Sequence, residues 1–253
     1  MKENIRKIII VALAAIFVFL LYKIIDIKLA QSREQEAFEE LKEEIKPEPA
    51  EKEISENIEK EPEKIEYTEY KSLYDENPDF AAWIKNPAIN VDYPVMWTPK
   101  KADYYIRRDF NKEDALAGTP FIGKNGDVDS DLFIIYAHNM SNSTMFSNLD
   151  YYKDEEFYRE NPRFSLTTIT EEREYEIFSA LKTKVPIEDG PAFYNYSGKL
   201  TEEEYNEIKN WLIENSIYNT EVNPSYNEQI LILSTCAYHT DDGRFLVAAR
   251  RVK

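Results

Sequence analysis

Leu231-Ile232-Leu233-Ser234-Thr235-Cys236, then Asp241-Asp242-Gly243, then Arg244-Phe245-Leu246-Val247-Ala248-Ala249, reads as a β-hairpin. Each apolar run has the length and residue types of a buried strand. The Asp-Asp-Gly between them is turn chemistry. A hairpin lays the end of one strand beside the start of the next. Cys236 and Arg244, eight positions apart, are therefore expected to be spatial neighbours. Cys236 is the single cysteine of the chain. A lone thiol beside a guanidinium is a candidate for reactive-cysteine chemistry. The plainer alternative is a small buried hydrophobe, which free cysteines often are.

Further strands are expected upstream, at Val91–Met96, Phe121–Ile122, Leu132–Tyr136, Phe164–Thr168 and Arg173–Lys182. Glu174-Tyr175-Glu176-Ile177-Phe178 alternates as a half-exposed strand should. Leu73–Ile84, with Phe80, Trp83 and Ile84, reads as a short helix packing an apolar face. A second helix follows Thr201, which forms a capping box with Glu204. Tyr205, Ile208, Trp211 and Leu212 then recur at helical spacing. Many strands with a few peripheral helices predict a mainly β, barrel-like domain of about 185 residues.

A thiol nucleophile needs a base or ion-pair partner and a group that stabilises an oxyanion. Two histidines are available, His138 and His239. His138 follows the buried-looking strand Leu132–Tyr136 and opens the polar loop Asn139-Met140-Ser141-Asn142. A rigid strand presents a functional residue at its rim in this way. His239 lies three residues after Cys236, in a polar hairpin loop, and is the weaker candidate.

Composition excludes several functions. A net charge of −17 argues against nucleic acid, whose phosphates need clustered Lys and Arg. It argues equally against adhesion to anionic lipid by charge alone. With six glycines and no Gly-rich phosphate loop, nothing suggests a nucleotide. One cysteine rules out an intrachain disulfide and a Cys-rich zinc site. No metal and no cofactor are expected.

The N-terminus has its own chemistry. Ile8 to Tyr22 is an unbroken apolar run, and Ile24-Ile25 extend it past Lys23. As a helix the fifteen residues span roughly 22 Å, short of the ~30 Å hydrocarbon core. Snorkelling by Lys7 and Lys23 closes the gap. Lys2, Arg6 and Lys7 precede the run, so the N-terminus is expected to stay in the cytoplasm. A cleaved signal peptide is the rival reading, but cleavage after Ala30 would put Lys28 where a small residue is wanted. Residues 1–27 are thus read as a cytoplasmic stub and single-pass signal-anchor, with residues 8–25 in the membrane. Residues 28–66 are rich in Glu and Lys, with Pro47, Pro49 and Pro62, and read as a solvated stalk whose Gln31–Ile45 stretch favours helix. Residues 67–253 form the outward-facing domain.

Several of these residues together resemble a known family. Leu233-Ser234-Thr235-Cys236, Gly243-Arg244-Phe245-Leu246-Val247 and Tyr136-Ala137-His138-Asn139-Met140 are similar to the active-site set of sortases. Sortases are membrane-anchored cysteine transpeptidases of Gram-positive bacteria. Asn77-Pro78-Asp79-Phe80-Ala81-Ala82-Trp83-Ile84, Asp92-Tyr93-Pro94-Val95, Met145-Phe146 with Leu149, and the helix at Thr201–Asn215 resemble the class B branch. Two positions depart from the usual pattern: Ala137 stands where Gly usually precedes the histidine, and Ile232 where Thr usually opens the cysteine pentad. Both bear on pocket shape more than on chemistry.

The resemblance implies an eight-stranded sortase-like β-barrel with an N-terminal helix and a helix before the cysteine strand. It implies Cys236 as nucleophile, His138 as general acid and then base, and Arg244 as oxyanion partner. Ser234, Tyr136 and Ile106 fall at substrate-contact positions. The implied substrates are secreted proteins with a C-terminal sorting motif. The implied acceptor is an amine of a peptidoglycan precursor or cross-bridge. Hydrolytic cysteine proteolysis on the same site, pilin polymerisation and a non-enzymatic anchored scaffold remain as alternatives.

Overall fold

The computed structural model describes residues 2–45, 67–187, 189–196, 198–237 and 242–253. The stalk over residues 46–66, His239 and the turn residue Asp241 lie outside the described residues. The chain divides into two compact units, Met1–Glu44 and Ile45–Lys253.

The first unit is a single helix, α1, over Lys2–Glu44. It carries the apolar run and most of the Gln31–Ile45 stretch without a break. Ile8, Ile16, Phe19 and Ile25 along it are exposed. Among the described residues it is the one helix long and apolar enough to cross a membrane.

In the second unit a one-and-a-half-turn helix, α2 (Lys71–Glu76), precedes eight strands. These are β1 (Phe80–Asn86), β2 (Val91–Met96), β3 (Phe121–Ile122), β4 (Leu132–Tyr136), β5 (Arg163–Thr168), β6 (Glu172–Lys184), β7 (Ile230–Cys236) and β8 (Gly243–Arg251). They close into a barrel in the order β1-β2-β3-β4-β7-β8-β6-β5. A short helix α3 (Glu155–Glu160) lies before β5, and α4 (Glu202–Glu214) lies between β6 and β7.

One expected element is corrected. Leu73–Ile84 is not one helix: the helix ends at Glu76 and Phe80 begins β1. Pro78 clashes with a helical conformation of the residue before it, and Asn77 accordingly has φ −133 and ψ 101. Asn77 is buried, its Nδ2 donating to the Tyr105 hydroxyl at 2.9 Å and the Phe110 carbonyl at 2.6 Å. Beyond the break, Phe80, Trp83 and Ile84 serve the core from a strand paired with both β2 and β5. Pro94 is tolerated within β2 because β3 pairs with that strand only at Met96.

Two features of the sheet position the site. β4 and β7 are parallel, with Tyr136 beside Ser234, so both strands end at the same rim. A parallel pair needs a crossover connection. Here the chain between them builds β5, β6 and α4. Strand alternation then separates two faces. Leu132, Ile134, Ile230, Ile232, Leu246 and Ala248 pack with Tyr205, Ile208 and Leu212 of α4. The intervening Phe133, Ile135, Leu231, Leu233, Val247 and Ala249 are also buried, on the opposite face. Helix α4 starts where the capping box puts it, with the Glu204 amide donating to Thr201 Oγ1 at 3.3 Å and the Thr201 amide to Glu204 Oε2 at 2.8 Å.

Candidate active site

Cys236 and Arg244 are directly opposed Cα partners across β7 and β8. Following the two-residue period from Ile232 and Ala248, Ser234, Cys236 and Arg244 lie on the same sheet face as the contacts with α4, just beyond its cover. Tyr136 continues that face on β4 and packs at the edge of the same cluster. Cys236 and Arg244 are half-buried, and Ser234 is buried. The Arg244 guanidinium donates from Nη1 to the Gly243 carbonyl at 2.9 Å.

His138 lies two residues past β4. The parallel register carries the chain beyond the strand end: the Ala137 amide donates to the Ser234 carbonyl at 3.2 Å, and Thr235 Oγ1 donates to the Ala137 carbonyl at 3.0 Å. The loop after the histidine folds back on itself, with Asn139 bridged to Met145 and the Phe146 amide donating to the His138 carbonyl at 3.0 Å. Together these bonds fix the backbone on both sides of the imidazole. The ring nitrogen Nε2 sits 2.8 Å from the Ile106 carbonyl oxygen. A carbonyl only accepts, so Nε2 carries the proton and Nδ1 keeps the lone pair in the neutral ring.

A cleft of about 100 Å³ opens between these groups. Ile106, Tyr136, His138, Ser234, Cys236 and Arg244 all line it. Every site residue expected from the sequence thus meets at one cleft. His239, the weaker candidate, lies outside the described residues.

The sortase domain family matches residues 84–252. The chain belongs to the sortase family. Among similar proteins, sortase B of Listeria monocytogenes is 29% identical over 190 residues, covering 73% of this chain and 74% of the relative. Sortase B of Staphylococcus aureus is 26% identical over 189 residues, covering 73% and 75%. Solved structures agree. Sortase B from Bacillus anthracis, in complex with AAEK1, superposes with a TM-score of 0.64 at 30% identity, covering 74% of this chain and 85% of that one. A substrate complex of Staphylococcus aureus sortase B superposes with a TM-score of 0.65 at 26% identity, covering 73% and 85%. This sortase is of the class B type, a cysteine transpeptidase built as an eight-stranded barrel.

Electrostatics divide the groups of this sortase cleft. Burial pushes the His138 imidazole below its ordinary value of 6.5, because the imidazolium loses water. The Ile106 carbonyl opposes that shift by accepting from the ring, and the Arg107 guanidinium adds to it by repulsion. The histidine is therefore mainly neutral at pH 7. Burial pushes the Tyr136 hydroxyl up to about 12, against the pull of the Arg244 guanidinium, so it remains a hydroxyl donor.

Other residues of the site were not foreseen. Asn139 Nδ2 donates to the Cys236 carbonyl at 2.9 Å and ties the histidine loop to the cysteine strand. Ala117, Thr119 and Phe121 form another wall of the cleft, with the Phe121 ring stacked on Tyr136 at 5.8 Å between centroids. Asn139 stands in the Tyr136–Met140 motif that resembles sortases, but its bond to the Cys236 carbonyl has no signature in the sequence. The 117–121 wall depends on tertiary packing and left no local pattern.

Proposed function

We propose that this sortase is anchored by α1 with its N-terminus in the cytoplasm and its barrel outside the cell. It cleaves a C-terminal sorting motif of secreted proteins and joins the released acyl end to a cell-wall amine. Lys2, Arg6 and Lys7 before the apolar helix support the orientation. The observation that carries the chemistry is the convergence of Cys236, Arg244 and His138 on one cleft.

Neutral His138 takes the Cys236 thiol proton as the sulfur attacks the Thr carbonyl of the motif, forming a C–S bond and a tetrahedral oxyanion. A guanidinium presents several N–H donors in a rigid fork, which suits Arg244 to bonding the carbonyl oxygen as its charge develops. The C–N bond then breaks, and protonated His138 gives its proton to the departing amine. A thioester remains. The incoming amine attacks it, His138 takes the proton released, and the thiolate leaves as the new amide forms. No net oxidation or reduction occurs. Ser234, Tyr136 and Ile106 line the cleft with Cys236, which supports reading them as peptide contacts.

Mass spectrometry of peptide turnover tests this reading with a small library of sorting peptides and candidate amines. Cys236→Ala and His138→Ala are expected to abolish cleavage. Arg244→Ala is expected to lower kcat/KM by about 10²- to 10³-fold, as loss of an oxyanion donor does. An added amine should appear in a ligated product. Full activity in Cys236→Ala, or hydrolysis alone with every amine, would sink the reading.

A further inference from the structure

The His138 ring rests on a backbone carbonyl, that of Ile106. A second segment sets the position of that carbonyl from the other side. Residues 115–119 run back along residues 105–108. The Ala115 amide donates to the Arg107 carbonyl at 3.1 Å and the Thr119 amide to the Tyr105 carbonyl at 3.0 Å. Thr119 Oγ1 donates to the Arg108 carbonyl at 2.9 Å. The Arg107 guanidinium closes the strap, its Nη1 donating to the Leu116 carbonyl at 2.5 Å. Gly118, at φ +61, makes the close approach possible: a methyl there would lie 2.5 Å from the Ile106 oxygen and 2.6 Å from the Tyr105 oxygen. Beneath, Tyr105 is fully buried, and its hydroxyl accepts from Asn77 and donates to Asp79 Oδ2, both at 2.9 Å. The segment bearing the carbonyl is thus held above and below.

We infer that the strap of residues 115–119, through Gly118 and Arg107, positions His138 by holding the Ile106 carbonyl against Nε2. The bond fixes Nε2 as the protonated nitrogen of the neutral ring and assigns the proton exchanged in the reaction to Nδ1. The inference rests on the reading of His138 as the proton carrier. Gly118 and Arg107 are positioning residues, since neither lines the cleft. An alanine at Gly118 has two costs: the left-handed backbone disfavours a side chain, and its methyl displaces the carbonyl. The ring then loses its anchor.

The test uses the full-length chain in detergent, with two readouts. One is kcat and KM on a sorting peptide. The other is the imidazole ¹⁵N spectrum, which distinguishes the two tautomers. The chain has two histidines, so His138→Ala assigns the resonances. In the parent, His138 is expected as the Nε2–H tautomer. Gly118→Ala is expected to mix the tautomers and to lower kcat about 10²-fold, the scale of a 1 Å misplacement, with KM changed by no more than about threefold. Should Gly118→Ala fail to melt cooperatively, Arg107→Ala takes its place, with mixed tautomers and about tenfold lower kcat. Arg107→Lys, which retains a donor for Leu116, should recover most of that loss. A folded Gly118→Ala or Arg107→Ala variant with the parent tautomer and parent kcat overturns the inference. Retained activity in His138→Ala would instead strike the functional reading, because the tautomer reports the strap directly.

Discussion

His138 shows how much of a site residue's setting lies outside its own side chain. Its strand-end position is visible in the sequence, because an apolar run followed by a polar loop marks a rim. Its partner is not, because a backbone carbonyl at Ile106 has no residue signature. The facing of Cys236 and Arg244 was legible for the opposite reason: hairpin register depends on local turn chemistry. The pH dependence follows from the imidazole's surroundings. Burial, helped by Arg107, holds the imidazole below 6.5 despite the Ile106 carbonyl. Below its pKa the ring is already protonated and cannot take up the proton that the reaction releases. The acid limb of kcat/KM is therefore expected below pH 6.5. A ¹⁵N titration of the His138 ring with its midpoint above pH 6.5 would contradict that environment.

Among the elements, the strands were legible wherever alternation or an apolar run was strong, as in β4 and β7. Helix α4 was legible from its cap and its stripe. The misreading at Leu73–Ile84 came from spacing alone: Phe80, Trp83 and Ile84 fit a helical face, and Pro78 was the stronger signal. The barrel wall also carries ion pairs that sequence could not place, because their partners lie on different strands. Arg250 on β8 reaches Glu176 of β6 at 2.7 Å and Glu228, just before β7, at 3.1 Å. Burial pushes the Glu176 carboxyl up, but the bonds from Arg250 and Arg163 outweigh it and hold the carboxyl below its ordinary 4.5. Arg250→Ala is expected to cost about 1–3 kcal/mol in urea unfolding at pH 7, the scale of bonds to charged groups. A folded value lowered below 4.5 means stability present above that pH and lost as pH falls through the folded value. The difference between parent and variant should therefore shrink below pH 4.5. An equal difference at pH 3.5 and pH 7 would show that the pair does not carry it.

For the whole molecule, the parallel pairing of β4 with β7 brings together a histidine and a cysteine 98 positions apart. No local pattern reveals such a crossover, and only the resemblance to sortases anticipated it. The apolar helix makes a separate claim, that the full chain partitions into membranes and that deletion of residues 2–44 releases the barrel domain to the soluble fraction. Intact-mass analysis of the membrane form should retain the N-terminal residues, and a mature chain beginning at Gln31 would show cleavage in place of anchoring. The most direct measurement is the intact mass of the enzyme trapped during turnover of a sorting peptide. The parent should gain the mass of the acyl fragment on Cys236 and lose it when an amine is added. Cys236→Ala should show no adduct and no cleavage, and an adduct or undiminished cleavage in that variant would contradict acyl transfer through the thiol.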